Sequence, residues 1–203
     1  MKLYLSTIGV SAVLITAINL ACNTATWYYV TVAVIWCIAL QFAFDGSIAI
    51  IINKIPGKYF GVDNRHYFVS EREVRLYKRL QVRRWKDKVW ELGGLGGFSK
   101  KTLAEPNSPE YIERFIIECN KGVLVHRLSY VAGFLAMLTL PNVCALTIAL
   151  PVAVINVFLN ILPTLALRYN TPMLKNALKR LKAKEANKSD KRSVSSIQSS
   201  IHK

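Results

Sequence analysis

Glu118 and His126 stand eight residues apart where a long apolar run begins, with Lys121 and Arg127 beside them. A carboxylate and an imidazole can move protons, and a neutral histidine serves as a base near physiological pH. On one continuous helix Glu118, Gly122 and His126 follow a spacing of four and share one slowly turning stripe. The Glu118 and His126 backbones are then about 12 Å apart, so a substrate or a third residue has room between them. A histidine bonded to a neighbouring helix fits the same spacing, and Arg127 reads as a snorkelling interfacial anchor. Asp45, followed by Gly46 and Ser47, is a second acid inside an apolar run. Intramembrane acids are functional candidates; an ion pair with Arg127 or Arg168 would make this one structural.

The elements that must position these groups follow from composition. The 203 residues are 52% hydrophobic and carry a net charge of +15, a combination a soluble globule rarely holds unless the two excesses are segregated. They are: after Lys2 the next charged side chain is Asp45, and between Lys121 and Arg168 only Arg127 is charged. A bilayer core needs roughly 20 apolar residues as helix. Each region has room for two, broken by Asn23, Thr24 and Thr26 in the first and by Pro141 and Asn142 in the second. The expected fold is therefore all-α and integral to a membrane. Its four transmembrane helices, near Leu3 to Ala21, Trp27 to Ile52, Gly122 to Leu140 and Val143 to Leu167, form two hairpins. A cleaved signal peptide is disfavoured by the single Lys2, the length of the first apolar run and the second span close behind it.

Between the hairpins, residues 53–121 hold fifteen Lys and Arg against nine Asp and Glu, and the segment from Arg168 onward holds ten against two. The positive-inside rule places both, with the N-terminus, on the cytoplasmic side of a cell membrane. The basic surface suits orientation and anionic lipid headgroups, and it needs no nucleic-acid partner. Cys22, Cys37, Cys119 and Cys144 are scattered singly, so neither a disulfide framework nor a metal site is expected.

Within the loop, Ser70 and Glu73 have capping-box spacing and announce a short helix. Gly93 to Gly97 with Lys100 and Lys101 reads as a flexible turn or a phosphate-holding loop, and it matches no nucleotide fingerprint. Ser108, Pro109 and Glu110 begin an amphipathic helix with Ile112, Phe115, Ile116 and Cys119 on one face, able to lie on headgroups and run into the third span. Thr171 and Pro172 are placed to start another helix over residues 168–186, whose Leu174, Leu178 and Leu181 suggest an interfacial amphipathic element. From about Lys184 the composition predicts disorder, and a disordered tail is assigned to residues 187–203.

Four motifs in order, IPGKYF at Ile55 to Phe60, VRRWKD at Val82 to Asp87, IIE at Ile116 to Glu118 with His126, and RYN at Arg168 to Asn170 with Pro172 and Leu174, carry a resemblance. Over roughly Asn53 to Lys184 the chain resembles the glycosyl-4,4'-diaponeurosporenoate acyltransferase family of small bacterial integral-membrane proteins. Its pattern matches Trp85, Lys86, Glu118, His126, Arg168, Tyr169, Asn170 and Pro172. It departs at Val123, where the family carries Glu, and at Thr171 and Met173, where it carries Arg.

The resemblance implies transfer of a fatty acyl group from an activated donor to a hydroxyl of a lipid or glycolipid. No cofactor is expected; an acyl thioester would be a co-substrate. Such transfer requires a base for the hydroxyl and donors for the developing oxyanion. The expected roles are His126 as base, Glu118 orienting it or the acceptor, and Arg168 and Asn170 holding a carbonyl or phosphate. Arg83, Arg84, Trp85, Lys86, Asp87, Lys121 and Tyr169 are expected to bind substrate. Apart from the resemblance, Arg168 and Tyr169 read as an interfacial belt and Asn170 as a helix cap. A non-catalytic membrane scaffold binding anionic lipid is the alternative, and convergence of His126, Glu118 and Arg168 on a cleft would separate the two.

Overall fold

The computed structural model describes residues 2–89 and 103–201, with side chains placed for residues 4–89 and 103–187. Among them every regular element is helical, and four helical stretches are long and apolar enough to cross a membrane. The protein is an all-α membrane protein built on two helical hairpins.

Helices α1 (Lys2–Ala21) and α2 (Trp27–Lys54) form the first hairpin. Its turn is set by Asn23, at φ 51°. Asparagine tolerates this left-handed backbone better than most residues. Thr24 N–H then reaches Asn19 O, and Asn23 N–H reaches Leu20 O, which satisfies carbonyls orphaned at the end of α1. Val10, Val13, Leu14 and Ile18 of α1, and Val32, Ile35, Ile50 and Ile51 of α2, remain exposed. In water such a surface would be a liability, whereas in a bilayer it faces acyl tails. Trp27 and Tyr28 meet edge to face at the start of α2, where an aromatic belt belongs.

After α2, short 3-10 turns at Gly57–Phe60 and Arg65–Tyr67 lead to α3 (Glu71–Arg79) and α4 (Val82–Trp85). The capping box at α3 forms as its spacing predicts: Ser70 Oγ accepts from Glu73 N–H, and Glu73 Oε2 accepts from Ser70 N–H. Helix α5 (Pro109–Ala132) begins at a Ser108 N-cap, with Tyr111 N–H donating to Ser108 Oγ. It tightens into a 3-10 stretch at Gly133–Thr139, turns at Pro141, and passes through α6 (Asn142–Cys144) and a π-helical segment, Ala145–Ala149, into α7 (Leu150–Ile201).

Helix α7 departs from two expectations. It runs unbroken through Pro163 and Pro172. Each proline removes one N–H, leaving the Leu159 and Arg168 carbonyls without their helical donors; the flanking Thr164 Oγ1 and Thr171 Oγ1 bond the neighbouring carbonyls, Asn160 O and Leu167 O, and packing against α5 holds the helix through the second of these positions. Residues 168–186 are accordingly not a separate interfacial helix. Leu174 and Leu178 are buried with Ile112, Phe115, Ile116 and Cys119 of α5, and Leu181 packs on the same cluster. Two apolar stripes leaving one hairpin cover each other, and burying a leucine side chain contributes about 1.5–3 kcal/mol. Finally, the helix continues to Ile201 in place of the expected disordered tail. Extending an existing helix needs no new nucleus, which is the costly step.

Helices α5 and α7 run antiparallel, since Gly133 lies beside Asn156 near the turn while Lys182 meets Glu113 at the far end. A second cluster, containing Ile15, Val30, Ala33, Val34, Cys37, Ala136, Ile148, Ala149 and Val152, joins the hairpins. Its small residues permit the close approach that packing between membrane helices requires.

Candidate functional site

His126 sits on α5, half-buried, with Nδ1 2.7 Å from Asn160 Oδ1 of α7. The roles in this contact follow from the other side of the amide. Asn160 Nδ2 donates to Asn156 O at 3.0 Å, to Asn156 Oδ1 at 3.0 Å and toward Asp45 Oδ2 at 3.4 Å. A backbone carbonyl and a carboxylate only accept, so they fix the amide nitrogen, and Asn160 Oδ1 is left to accept a hydrogen bond from His126 Nδ1–H. In the neutral ring the basic lone pair then lies on Nε2. One turn further along α5, Tyr130 donates to Thr164 at 2.7 Å.

The same network reaches the first hairpin. Gln41 of α2 is 5% exposed and donates to Gly133 O at 2.8 Å. A Cβ at residue 133 would lie 2.7 Å from Gln41 Oε1 and 3.2 Å from Asn156 Nδ2, so glycine is what lets α2, α5 and α7 meet there. Gln41 Oε1, Asp45 Oδ1, Ser129 Oγ and Asn156 Nδ2 have no hydrogen-bond partner among the described residues. Gln41, Asp45 and Asn156 also line an open cleft between α1, α2 and α7. Its other walls are mainly aliphatic, including Ile8, Ile15, Val152 and Leu159, with Tyr4 and Ser11 contributing hydroxyls. His126 is not among the lining residues; Asn160 stands between it and Asp45.

The expected convergence of His126, Glu118 and Arg168 does not occur. Glu118 pairs with Lys121 at 3.5 Å, three residues along the same helix. Lys121 also donates to Asn53 O at 3.4 Å and lies 5.9 Å from the centre of the Phe60 ring. It thereby closes the end of α2, a role favoured for a cation near a helix C-terminus. The residue orienting His126 is Asn160, and the sequence signal for it is a polar ladder in the fourth span. Asn156, Asn160, Thr164 and Arg168 recur every four residues, and all are buried.

Arg168 is 6% exposed and held in a clamp. Its Nε donates to Glu73 Oε1 at 3.0 Å and Tyr77 OH at 3.3 Å; one terminal nitrogen donates to Glu73 at 2.7 and 2.8 Å and to Phe68 O at 2.9 Å. Burial on its own would raise the Glu73 carboxyl. The Ser70 N–H, the Arg168 guanidinium and the Tyr77 hydroxyl outweigh it and hold Glu73 below the ordinary glutamate value. Burial pushes the Tyr77 hydroxyl up. The pairings expected for Asp45 are also absent, since Arg168 is taken by Glu73 and Asp45 meets Asn160.

Tyr169 stacks edge to face on Tyr77 at 6.5 Å, and Asn170 is half-buried inside α7, where it caps nothing. Trp85 donates to Leu80 O at 3.0 Å and Arg84 to Gln81 at 2.8 Å, while Lys86 pairs with the exposed Asp87 at 2.8 Å. Arg83 is exposed. These residues form a basic ledge beside the loop-side end of the bundle, separate from His126. The glycine run Gly93 to Gly97, with Lys100 and Lys101, lies outside the described residues. Val123 is buried in the apolar cluster between α5 and α7, and Thr171 is buried on α7 with its hydroxyl on Leu167 O, whereas Met173 is exposed.

Comparison with known proteins bears on this arrangement. A family model described as glycosyl-4,4'-diaponeurosporenoate acyltransferase matches residues 56–180, more than half of the chain. No curated protein and no solved structure matches. The matched segment contains His126, Asn156, Asn160, Arg168 and Glu73, and leaves out the first hairpin. The chain belongs to the glycosyl-4,4'-diaponeurosporenoate acyltransferase family.

Proposed function

We propose that this protein moves a fatty acyl group from an activated donor, such as a thioester, to a hydroxyl of a lipid or glycolipid, acting as a multi-pass protein of the cell membrane with its basic loop and both ends on the cytoplasmic side. The observation that carries the proposal is the His126–Asn160 contact inside a family named for acyl transfer. With the Nδ1 proton engaged by Asn160, His126 Nε2 takes the proton of the acceptor hydroxyl. The oxygen then attacks the acyl carbonyl, the bond to the leaving sulfur breaks, and the imidazolium returns the proton to the thiolate. A histidine whose second nitrogen is held by an amide is an effective base because its tautomer and orientation are set before substrate arrives.

Arg168 is better read as the fastener of α3 to α7 than as an oxyanion donor, because its guanidinium is occupied by Glu73, Tyr77 and Phe68. Arg83, Arg84, Lys86 and the lysines of α7 offer positive charge to anionic headgroups or a phosphate-bearing donor. Membranes with and without the intact protein, supplied with an isotopically labelled acyl thioester and analysed by lipid mass spectrometry, test the reading. Labelled acyl esters that appear only with the protein are expected. Identical lipid profiles across a range of hydroxyl-bearing acceptors would favour the scaffold reading.

A further inference from the structure

The cleft between α1, α2 and α7 has no role in the chemistry above, and its composition is specific. Measured along α1, it runs from Tyr4 to Ile15, eleven residues or about 16 Å of helix. That is close to half the thickness of a bilayer core, the depth one lipid tail occupies. An apolar lining with a few converging polar groups is the usual character of a small-molecule site.

The polar groups are not spread evenly. Ile15, Ile38 and Val152 line the end nearer the helix turns, whereas Tyr4 and Asp45 line the end nearer the basic loop, with Gln41 and Asn156 between. Gln41 and Asn156 are each 5% exposed, and with Asp45 they keep two acceptors and one donor unpaired. Leaving polar groups buried without partners costs free energy. An occupant bringing a hydroxyl or ester group to this wall supplies partners of both kinds. Asp45 and Asn156 both accept from Asn160, so this polar wall is one amide away from His126.

We infer that the cleft binds one alkyl chain of the acyl-transfer substrate, tail toward Ile15 and Val152 and its neutral oxygen-bearing end toward Gln41, Asp45 and Asn156. The inference rests on the acyl-transfer reading for the word substrate, while binding itself does not. It gives the first hairpin, which lies outside the matched residues 56–180, a specificity function: α1 and α2 supply most of the lining, and Ile8, Ala12 and Phe42 set the width available to the chain.

Two photoreactive probes test this on the full-length protein in lipid nanodiscs: a long-chain fatty alcohol and the acyl thioester of the same chain, each with a diazirine near its end. Crosslinks are mapped by peptide mass spectrometry. Saturable labelling of the cleft face of α1 and α2 is expected, displaced by unlabelled compound, with exposed Val13 and Ile18 labelled only in proportion to probe. Saturation by the alcohol marks an acceptor site and saturation by the thioester a donor site.

Ala12→Trp fills the cleft and should cut saturable labelling at least ten-fold while labelling at Val13 persists. Ile8→Phe, a milder change, should produce a smaller cut in the same direction. Non-saturable labelling of equal strength on the cleft and exposed faces would overturn the inference even if acyl transfer is observed. Saturable cleft labelling without any transfer would uphold the binding site and remove the catalytic reading.

Discussion

Asn160 and Arg168 lie on one stripe of α7, eight residues or about 12 Å apart, and are 5% and 6% exposed. Around Arg168 the bonding is reciprocal. Both oxygens of Glu73 accept from the guanidinium, Tyr77 joins them, and the Phe68 carbonyl takes a further N–H. Around Asn160 the bonding is incomplete, with atoms of Gln41, Asp45 and Asn156 unpaired nearby and a cleft alongside. A closed polar cluster fastens elements together, while an open one inside an apolar bundle is built to receive something. In the proposed reaction this contrast assigns the chemistry to the amide and imidazole deeper in the bundle and a fastening role to the loop-side arginine.

The comparison can be broken most forcefully at its closed half. Arg168→Met leaves Glu73 and the Phe68 carbonyl without their main partner. Breaking a buried pair destabilises by about 3–5 kcal/mol; with a third of the Glu73 side chain exposed, about 2–3 kcal/mol is expected. Unfolding in mild detergent, followed by protease susceptibility, would measure it. Adding Glu73→Gln should recover more than half of the loss, because glutamine keeps the capping box without an unpaired charge.

A smaller effect tests the junction between the hairpins. Gly133→Ala places a methyl against Gln41 Oε1 and forces the glutamine off the Gly133 carbonyl, for a loss of about 1 kcal/mol. Gln41→Ala in the same chain should remove the conflict, so the two changes should be non-additive in the same unfolding assay. Simple additivity would mean that the contact is unimportant.

The pH dependence of stability separates the clusters further. Glu73 is held below its ordinary value in the folded protein, so its contribution is complete above the unfolded glutamate value and is lost as pH falls through the depressed one. Acid titration of the unfolding midpoint should show this loss in the parent and a flatter profile in Glu73→Gln. Smallest of all, Lys182→Ala removes an exposed pair with Glu113 and should leave the midpoint unchanged, as expected for a solvated surface ion pair.

The contrast also explains what was legible in the sequence. Ser70 with Glu73, and Ser108 with Pro109, are local signals whose partners lie within three residues, and both helices start where those signals place them. The four spans followed from charge segregation, which a bilayer enforces whatever the tertiary packing. The second duty of Glu73 was hidden because Arg168 is 95 residues away, and a capping box gives no hint of it. Likewise Glu118 and His126 share a helix stripe, yet Lys121 is closer to the carboxylate and Asn160 meets the ring from another helix. Pro172 looked like a helix start because proline's local preference is strong; the stripe from Leu174 to Leu181, packed against α5, outweighs it.

In the proposed reaction His126 is the base and Asn160 orients it. The most direct measurement is the initial rate of acyl transfer by purified, membrane-reconstituted protein carrying His126→Ala, beside Asn160→Ala and the parent, with the folded fraction determined for each. A loss of about 10²–10⁴-fold for His126→Ala, a smaller loss in rate for Asn160→Ala, and unchanged folding are predicted. Transfer by folded His126→Ala at the parental rate would contradict the account.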